Sequence, residues 1–500
     1  MGIFKAYDIR GVYRDGLDED LAYRIGRRLP ALLGGKRALV GRDARLSSPS
    51  LTEALLRGIS DAGCDVDDMG LASTPMVYYF TAEKGYDFSV QVTASHNPPE
   101  YNGLKISRAG ARPVGYDSGL AELEKAVAEP LPPPASAKGR VEKVDYIAEF
   151  VDFLRPWVPD LSGVRLVVDC SDGMASLIVR ELFGGAAASP NSSRRSCGGR
   201  AAEVGPLHGE AGAAKPPKLG GAAGVGSAKP PRLGADARGW TKYVAATPDG
   251  SFPNHAPNPF ESAGRTLICK TVRESKADAG VIYDGDADRM MLIDENGDFV
   301  RPDLMIGVMA VPFLRKYPGA TILQDIRTSR GVTEFLREAG AKTAMWKVGH
   351  AFAKVKMREL NAVFGGELAG HYYFRDFHWC DSGELASLVA LGEIAAAQRR
   401  GVRLSELVKP IDRYANTGEL NFRIGDKAGT MERLRKHFVS KAEPVALYDF
   451  DGYRIEYRDW WFNVRPSNTE PYLRLIVEAK TPEMLAERRE EIEKVLGRGV

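Results

Sequence analysis

The stretch at 90–107, VQVTASHNPPEYNGLKIS, combines a serine, a histidine and a lysine around a pair of prolines. We predict a buried strand over 88–93 that ends before Ser95, because the two prolines exclude a helix. Ser95 would then lie on a loop at the carboxyl end of a strand, where open α/β sheets place their ligands. A serine hydroxyl needs a base, a metal or neighbouring cations to react or to hold a phosphoryl group, and Lys105 is one candidate. The alternative is an ordinary turn in which Ser95 caps backbone amides.

Three carboxylates at alternate positions form a second candidate site. Asp284, Asp286 and Asp288 lie within 280–294, GVIYDGDADRMMLID, between two short apolar segments. That spacing would aim all three side chains in one direction, where a hard divalent cation relieves their repulsion. A calcium EF-hand loop is disfavoured, because Arg289 occupies the position that needs glycine and the flanking segments are predicted strands. We therefore predict magnesium rather than a plain acidic turn, with Arg289 pairing with a phosphate oxygen or with the carboxylates.

A third cluster of polar side chains occurs near the C-terminus at 463–471, NVRPSNTEP. Arg465, Ser467, Asn468 and Thr469 supply a guanidinium, two hydroxyls and an amide. In a loop between strands, such donors favour an oxyanion-binding cradle. A capped turn with a purely structural role is the alternative.

Five further residues are weaker candidates, because each has an ordinary structural explanation. Glu367 lies in GGELAGH, where its carboxylate would hold sugar hydroxyls, although a lone Gly-Gly-Glu is usually a turn. His350 follows a predicted strand, and a single histidine is more often structural. Arg10, in KAYDIRG near the start, could reach a phosphate or be a surface charge. Tyr7 in the same segment and Arg327 after another predicted strand complete the set of candidate substrate-binding residues.

The elements that must position these residues alternate between strands and helices, which favours α/β domains built on parallel sheets. Hydrophobic runs and helix-capping residues define their bounds. The predicted strands cover 37–40, 88–93, 164–168, 321–324, 342–346 and 362–364. One predicted helix begins at Ser48 or Ser50 and stops at Gly63. Three further helices are predicted over 174–183, 381–398 and 482–496. Three similar α/β units follow from this order.

The chain of 500 residues is too long for one hydrophobic core and is expected to form several domains. A linker rich in proline and alanine, EPLPPPASAK at 129–138, ends the first domain. The predicted domains are 1–135 with the serine loop, 136–297 with the acidic loop, 298–410 with the glycine-rich loop, and 411–500 with the cradle. Residues 184–246 are rich in Gly, Ala, Pro and Ser, so we expect a disordered insertion; contact with RNA or acidic partners is a weaker alternative.

Composition argues against several broad classes of protein. The formal net charge is only +2, which gives no global reason to expect a nucleic acid or an anionic membrane as partner. The five cysteines include no C-x-x-C pair, so neither a zinc site nor a disulfide framework is predicted. No apolar run reaches the ~20 residues that a membrane helix needs. We expect a protein of the reducing cytoplasm.

These segments together resemble the α-D-phosphohexomutase superfamily, and within it the phosphomannomutase/phosphoglucomutase group. KAYDIRG, TASHNPPEYNGLK, DGDADR, GGELAGH and RPSNTEP occur in the family's order and span nearly the whole chain. The resemblance implies four domains around a central cleft. The first three would share an α/β topology, and the smaller C-terminal domain would be α+β.

The resemblance also implies roles for the candidate residues. Ser95 would carry a phosphoryl group, and Mg²⁺ would be held by that phosphate and by the three aspartates. Lys105 would perform general acid and base work, with Arg10 and His350 helping at the reacting centre. Glu367 would select sugar hydroxyls, and the C-terminal cradle would hold the distal phosphate.

The implied reaction is an exchange of phosphoryl groups. Phosphorylated Ser95 would give its phosphoryl group to a hexose 1-phosphate, forming a hexose 1,6-bisphosphate that turns end for end before Ser95 recovers the other phosphate. Ala369 departs from the family pattern, which usually has serine there, so the sugar preference stays open. The alternatives are a phosphoglucosamine mutase, a magnesium-dependent phosphatase and a non-catalytic protein that binds hexose phosphates.

Overall fold

The computed structural model describes residues 2–184, 240–467 and 472–497. These residues form four β-sheets with helices packed against them, which confirms the predicted fold class. None of the described helices combines the length and the apolar character needed to cross a bilayer. Most of the predicted insertion, from 185 to 239, lies outside the described residues.

The N-terminal part of the chain builds one mixed sheet. Its elements are β1 (Ile9–Tyr13), β2 (Gly16–Leu17), α1 (Glu19–Leu33), β3 (Arg37–Arg42), α2 (Ser48–Asp61), β4 (Asp65–Leu71), α3 (Thr74–Glu83), β5 (Phe88–Val92), β6 (Tyr101–Arg108), β7 (Arg112–Pro113), α4 (Leu120–Ala128) and β8 (Val141–Lys143). Strands β4, β3 and β5 are parallel neighbours in that order, and β6 joins β5 antiparallel. Because β8 pairs with β4, this sheet extends beyond the domain boundary predicted at 135.

The second sheet repeats this arrangement. Its elements are α5 (Ile147–Leu154), β9 (Arg165–Asp169), α6 (Val179–Phe183), β10 (Trp240–Val244), α7 (Ser262–Ser275), β11 (Ala279–Tyr283), β12 (Met290–Ile293) and β13 (Phe299–Val300). Strands β10, β9 and β11 are parallel, and β12 is antiparallel to β11. The prediction of disorder up to 246 is wrong for β10, because the aromatic and β-branched residues of WTKYV favour a strand. The helix predicted over 174–183 is interrupted at Ile178, whose backbone is not helical (φ −130°, ψ −23°).

The third sheet has the same order again. Its elements are α8 (Pro302–Lys316), β14 (Thr321–Asp325), α9 (Arg330–Glu338), β15 (Lys342–Trp346), α10 (His350–Glu359), β16 (Phe364–Gly366), β17 (Tyr372–Phe374), β18 (Cys380–Asp381), α11 (Gly383–Gln398) and α12 (Leu404–Val408). Strands β15, β14 and β16 are parallel, and β17 returns antiparallel to β16. Asp381 does not open a helix as predicted. It ends β18, and α11 begins behind Ser382, whose hydroxyl accepts from the Leu385 amide.

Equivalent turns of these three sheets carry the candidate residues. In each sheet the third strand of the parallel set turns back into an antiparallel fourth strand: β5 into β6, β11 into β12, and β16 into β17. The first turn contains Ser95, the second contains the three aspartates, and the third contains Glu367. The predicted parallel strands are present in each sheet, and each sheet also contains an antiparallel strand. The antiparallel return is what places each candidate loop at the carboxyl end of a central strand.

The C-terminal part forms an antiparallel sheet with helices, as expected for an α+β domain. Its elements are β19 (Ala415–Asn416), β20 (Leu420–Arg423), α13 (Lys427–Lys441), β21 (Ala446–Tyr448), β22 (Tyr453–Glu456), β23 (Trp460–Pro466), β24 (Tyr472–Ala479) and α14 (Pro482–Leu496). Arg465 lies inside β23 and not in a loop as predicted. Asn468 and Thr469 lie outside the described residues.

The first three sheets share a continuous apolar core. One cluster of buried side chains includes Phe80 of the first sheet domain, Val168 of the second and Phe364 of the third. Close packing of this kind resists small displacements, so it fixes the three turns relative to one another. The C-terminal domain has its own cluster around Phe438 and Phe462.

Candidate active site

Ser95 occupies the turn between β5 and β6 and is buried. Its hydroxyl donates a hydrogen bond to Oδ2 of Asp284 over 2.8 Å and lies 3.2 Å from Nδ1 of His96. The Ser95 backbone is left-handed (φ 52°), which is strained for a residue with a side chain. Burial, together with the cations Arg289 and Arg10, lowers the pKa of His96 well below its usual value. The imidazole beside the serine is therefore neutral.

The three aspartates lie in the turn between β11 and β12, and one carboxylate oxygen of each lies within 4.8 Å of the others. All three side chains are buried. Gly285 permits this approach to the serine turn, because a Cβ there would lie 2.7 Å from the carbonyl oxygen of Ser95. Burial, and then repulsion from Asp288 and Asp286, raises the pKa of Asp284 well above its usual value. The acids are therefore an unfavourable group unless a cation balances them.

Lys105 supplies one such positive charge. Its Nζ donates to Oδ2 of Asp286 over 2.7 Å and to Oδ2 of Asp288 over 2.5 Å. Thr74 also donates to Oδ2 of Asp286, over 2.5 Å. Burial alone would lower the pKa of Lys105, but the Asp286 and Asp288 carboxylates outweigh burial and raise it. Lys105 is therefore held in its protonated form, and its role in acid and base chemistry stays a prediction.

The acidic turn can hold a metal ion. Within the described part of the chain, Oδ1 of Asp286 and Oδ1 of Asp288 accept no hydrogen bond, although both atoms are buried. Lys105 occupies only the Oδ2 atoms of these residues. Buried carboxylate oxygens without donors are unfavourable, and a divalent cation would satisfy them together with Asp284 and the Ser95 hydroxyl. A donor set made only of oxygen atoms fits a hard cation.

The N-terminal segment reaches the site from the first domain. Arg10 pairs with Asp8 and donates to Oδ1 of Asn97, in the serine turn, over 2.7 Å. Tyr7 packs edge-on against the ring of His350 from the third domain, with ring centres 5.0 Å apart. Arg10 thus lies beside the serine turn, and Tyr7 connects the first domain with the third.

His350 begins α10 and is buried. Its Nδ1 lies 3.5 Å from Nζ of Lys354, and its Nε2 forms no hydrogen bond to any described residue. Burial, and then the Lys354 charge, lowers the pKa of His350 well below its usual value. The imidazole is therefore neutral. Because the ammonium of Lys354 can only donate, Nδ1 is the accepting nitrogen, and Nε2 carries the hydrogen and can donate it to a ligand.

A buried network behind the acidic turn was not predicted from the sequence. Asp381 lies 2.7 Å from Nζ of Lys354 and 2.7 Å from Nδ1 of His371. On its other side, Nε2 of His371 accepts a 3.0 Å hydrogen bond from Nε of Arg289. Burial would raise the pKa of Asp381, but Lys354 and His371 outweigh it and hold that pKa well below its usual value. This ionised carboxylate therefore fixes the histidine that orients Arg289, whose Nε lies 3.7 Å from Asp284.

Glu367 lies in the third turn, next to the segment that precedes His350. Its Oε1 accepts from the Gly349 amide over 3.2 Å and from the Tyr373 hydroxyl over 2.8 Å. Its Oε2 lies 3.8 Å from a guanidinium nitrogen of Arg327. Burial raises the pKa of Glu367 above its usual value. Through Arg327, the third turn therefore contacts the cluster of arginines beside the C-terminal cradle.

Glu419 forms ion pairs with the arginines beside that cradle. It lies 3.2 Å from Arg327, 3.6 Å from Arg465 and 2.7 Å from Arg474. Arg327 is also held by Asp325 over 2.6 Å. Burial would raise the pKa of Glu419, but Arg327, Arg465 and a third arginine lower it to about 2. Sequence reasoning missed Glu419, because one glutamate after a glycine has no recognisable spacing to its arginine partners.

Arg465 is the cradle residue best placed to bind an anion. It is buried, and its Nε forms no hydrogen bond to any described residue. Ser467 follows it along the chain, and the Ser467 amide donates to the carbonyl of Tyr472 over 2.9 Å. A buried guanidinium with an unused donor is typical of a carboxylate or phosphate site.

Three α/β domains bring together a hydroxyl, a set of acids that can bind a cation, and a buried glutamate, and a fourth domain adds an arginine cradle. This combination defines the class of the phosphohexomutases. Family models described as phosphoglucomutase/phosphomannomutase match all four domains of the chain. They cover alpha/beta/alpha domain I at 1–130, domain II at 224–297, domain III at 301–414 and the C-terminal domain at 419–495. The chain therefore belongs to the phosphoglucomutase/phosphomannomutase family. The second match begins inside the stretch predicted to be an insertion.

Individual relatives agree with this assignment. The phosphomannomutase of Salmonella montevideo is 36% identical over 493 residues, with 97% of this chain and 96% of the relative covered. The phosphohexose mutase of Xanthomonas campestris is 35% identical over 499 residues, with 99% and 98% covered. The crystal structure of a phosphoglucomutase/phosphomannomutase family protein from Burkholderia thailandensis is 28% identical, with a TM-score of 0.80 and coverage of 100% and 98%. The protein is thus a phosphohexomutase, an isomerase that acts by phosphoryl transfer.

Proposed function

We propose that the protein interconverts the 1- and 6-phosphates of mannose, of glucose, or of both, through phosphorylated Ser95 and a hexose 1,6-bisphosphate intermediate. One observation carries the proposal: the Ser95 hydroxyl donates to Asp284 within a buried carboxylate set whose remaining oxygens suit a hard cation. Phosphoryl transfer depends on positioning and charge neutralisation more than on a strong base. Mg²⁺ is the proposed cation.

Each residue near the serine has a defined task in the proposed transfer. The bond from phosphorus to Oγ of Ser95 breaks as a hydroxyl oxygen of the hexose phosphate forms the new bond. Lys105 supplies positive charge and a proton near Oγ, and Arg10 neutralises the phosphoryl oxygens. The sugar hydroxyl loses one proton and Oγ of Ser95 gains one, so the transfer is balanced, and His350 would assist this exchange at the reacting centre. When bound by the three aspartates, Mg²⁺ offsets the negative charge of the phosphoryl group.

The fourth domain is proposed to hold the phosphate that is not being transferred. The proposed ligands of that phosphate are Arg327, Arg465, Ser467, Asn468 and Thr469. Glu367 would accept hydrogen bonds from the sugar hydroxyls, with Tyr7 and Arg289 contacting the sugar phosphate from the first and second domains. Ala369 offers no hydroxyl to the sugar, so discrimination between mannose and glucose falls to the other contacts. Because one cradle serves both phosphates in turn, the bisphosphate must reverse its orientation between the two transfers.

The decisive experiment follows the conversion of mannose 1-phosphate and of glucose 1-phosphate to their 6-phosphates, with Mg²⁺ and catalytic hexose 1,6-bisphosphate. Intact-protein mass spectrometry of the same preparation measures phosphate on Ser95. We expect turnover of at least one sugar and one phosphate per chain at Ser95. Turnover without any phosphate on Ser95 after incubation with bisphosphate would overturn the proposal.

The same assay, extended to glucosamine 1-phosphate and to the release of inorganic phosphate, separates the alternatives. A phosphoglucosamine mutase would prefer glucosamine 1-phosphate over both neutral sugars. A phosphatase would release inorganic phosphate and would not need the bisphosphate. A protein that only binds hexose phosphates would show neither turnover nor phosphorylation of Ser95.

A further inference from the structure

Arg45 is a completely buried arginine whose guanidinium donates hydrogen bonds to one turn of the chain and to the neighbouring carboxylate of Asp43. It donates to the carbonyl oxygens of Ser95 over 2.9 Å, Asn97 over 2.6 Å, Pro98 over 2.6 Å and Tyr101 over 3.0 Å. All four acceptors belong to the turn that carries the serine. One side chain therefore satisfies the backbone of this turn from Ser95 to the start of β6.

Asp43 fixes the guanidinium in place. Its carboxylate accepts from Nε of Arg45 over 3.1 Å and from the Arg45 amide over 3.0 Å. It also accepts from the hydroxyls of Ser48, over 2.6 Å, and Thr93, over 2.7 Å. The Thr93 hydroxyl in turn accepts from the amide of Ser95 over 2.9 Å. The serine is thus held at its amide through Asp43 and at its carbonyl through Arg45.

The second domain covers this arrangement. The ring of Phe252 lies over the Arg45 guanidinium, with 5.0 Å between the guanidinium carbon and the ring centre. Gly250 packs so closely that a Cβ there would lie 2.2 Å from the carbonyl oxygen of Ala44. The loop at 248–259 therefore closes the arginine off from water, where its hydrogen bonds are strongest. The domain with the acidic turn also completes the support of the serine turn.

We infer that Arg45 is a positioning residue for the phosphoryl transfer: it keeps Ser95 in its left-handed conformation, with its hydroxyl aimed at Asp284. The inference rests on the proposed function, in which Ser95 carries the phosphoryl group. A φ of 52° at a serine is unfavourable, so the surrounding contacts must stabilise it. Only the planar fork of arginine, with five N–H donors, reaches four carbonyls at once; the ammonium of lysine has three donors at one point.

The test compares Arg45→Met and the milder Arg45→Lys with a control, Arg27→Met. Arg27 is also buried, and it donates to the carbonyls of Pro132 and Pro133 in the linker between the first two domains, away from the serine turn. Each variant is measured for kcat and KM with glucose 1-phosphate and mannose 1-phosphate and for amide hydrogen exchange along the chain. If Arg45→Met does not fold, Arg45→Lys alone decides the outcome.

We expect both Arg45 variants to lose at least about tenfold in kcat, because a displacement of roughly 1 Å can cost about 100-fold in rate. KM should change by less than about threefold, since the distal phosphate is held elsewhere. Hydrogen exchange should accelerate at 95–101 and not across the chain. The control should lose stability and keep its kcat per folded molecule.

A normal kcat with normal protection at 95–101 would overturn the inference. So would a loss of protection that spreads evenly along the chain, as expected for the control. If the protein without substitutions carries no phosphate on Ser95 after incubation with bisphosphate, the proposed function is contradicted instead. In that case, exchange at 95–101 still reports whether Arg45 holds the turn.

Discussion

Nζ of Lys105 lies 2.5 Å from Oδ2 of Asp288, and both side chains are buried in a pocket shared with two more aspartates. The lysine therefore offsets part of the acids' charge while it leaves the Oδ1 atom of Asp288 without a hydrogen bond from any described residue. Lysine and a bound metal ion would thus be neighbours on one carboxylate, and their contributions would be separable by mutation.

The change Lys105→Met should lower turnover without weakening the binding of Mg²⁺. We expect kcat to fall by about 100-fold or more, the usual effect of losing a general acid. Affinity for Mg²⁺, measured by isothermal titration calorimetry without substrate, should stay equal or rise, because a competing cation has been removed. A loss of both kcat and affinity for Mg²⁺ would show that the lysine shapes the metal site instead.

Replacing one metal-binding acid should abolish the response to Mg²⁺. In Asp288→Asn we expect affinity to fall by at least about tenfold, with the thermal shift on adding Mg²⁺ lost accordingly. Chelation should abolish turnover in the unmodified protein, and Mg²⁺ should restore it. Asp294→Asn is the control, because that carboxylate accepts from the amides of Asn296 and Asp298 at the end of the next strand. Equal thermal shifts in both variants would contradict the assignment.

The change Ser95→Ala should abolish turnover and leave the fold intact. The hydroxyl donates only to Asp284 and borders His96, so its removal costs about 1 kcal/mol of stability. Turnover is measured in the coupled mutase assay, and folding by thermal unfolding. Ser89→Ala is the matched control: it removes a buried hydroxyl that accepts from Thr81 over 2.6 Å. Substantial activity in the Ser95 variant would reject the phosphoserine mechanism.

Arg465→Met should act on substrate binding. Loss of a charge-assisted hydrogen bond to phosphate costs about 1.5–3 kcal/mol, which corresponds to a rise in KM of at least about tenfold. Steady-state kinetics with hexose 1-phosphate measures this change. Arg413→Met, which removes a surface pair with Glu338, should leave KM unaltered. An unchanged KM in the Arg465 variant would remove this arginine from the proposed cradle.

Glu384 gives the fold a dependence on pH. Burial raises the pKa of this carboxyl from 4.5 to about 8, even though the hydroxyls of Ser73 and Ser382 bond to it. The folded protein therefore holds a proton that the unfolded chain has lost, so stability should fall as the pH rises from 4.5 to 8. The effect is at most about 5 kcal/mol.

Denaturant unfolding across this pH range, without divalent cations, measures the effect. Glu384→Gln should flatten the fall in the free energy of unfolding, because the amide does not titrate. The control Glu149→Gln, which changes an exposed carboxylate paired with Lys84, should keep the fall in the free energy of unfolding. An equal slope in the unmodified protein and in Glu384→Gln would disprove the prediction.

The sequence predicted the main features of the fold because those features have local signals. Strands, turns and glycines occur at short spacings, so the turns that contain Ser95, the three aspartates and Glu367 were recognisable from neighbouring residues. Several strands escaped prediction, and two of them show why. Trp240–Val244 directly follows a low-complexity stretch, whose composition obscured the strand pattern of these five residues. Val141–Lys143 is an exposed edge strand that follows a linker.

The missed site residues depend on partners far along the chain. Asp381 is recognisable only beside Lys354 and His371, and Glu419 only beside its arginines. Arg45 looks like a surface charge until the turn at 95–101 folds around it. Single-sequence patterns record spacing within an element, and they carry no information on which distant carbonyls or carboxylates a buried cation will meet.

The hydroxyl of Tyr243 donates to the carbonyl of Gly184, so the described residues on either side of 185–239 contact each other. A segment whose two ends are already joined adds little to the entropy that folding must overcome, whatever its length. Excision of 185–223, which precedes the residues matched by the family model of domain II, in favour of a short glycine-serine bridge should therefore yield a protein that still catalyses its reaction.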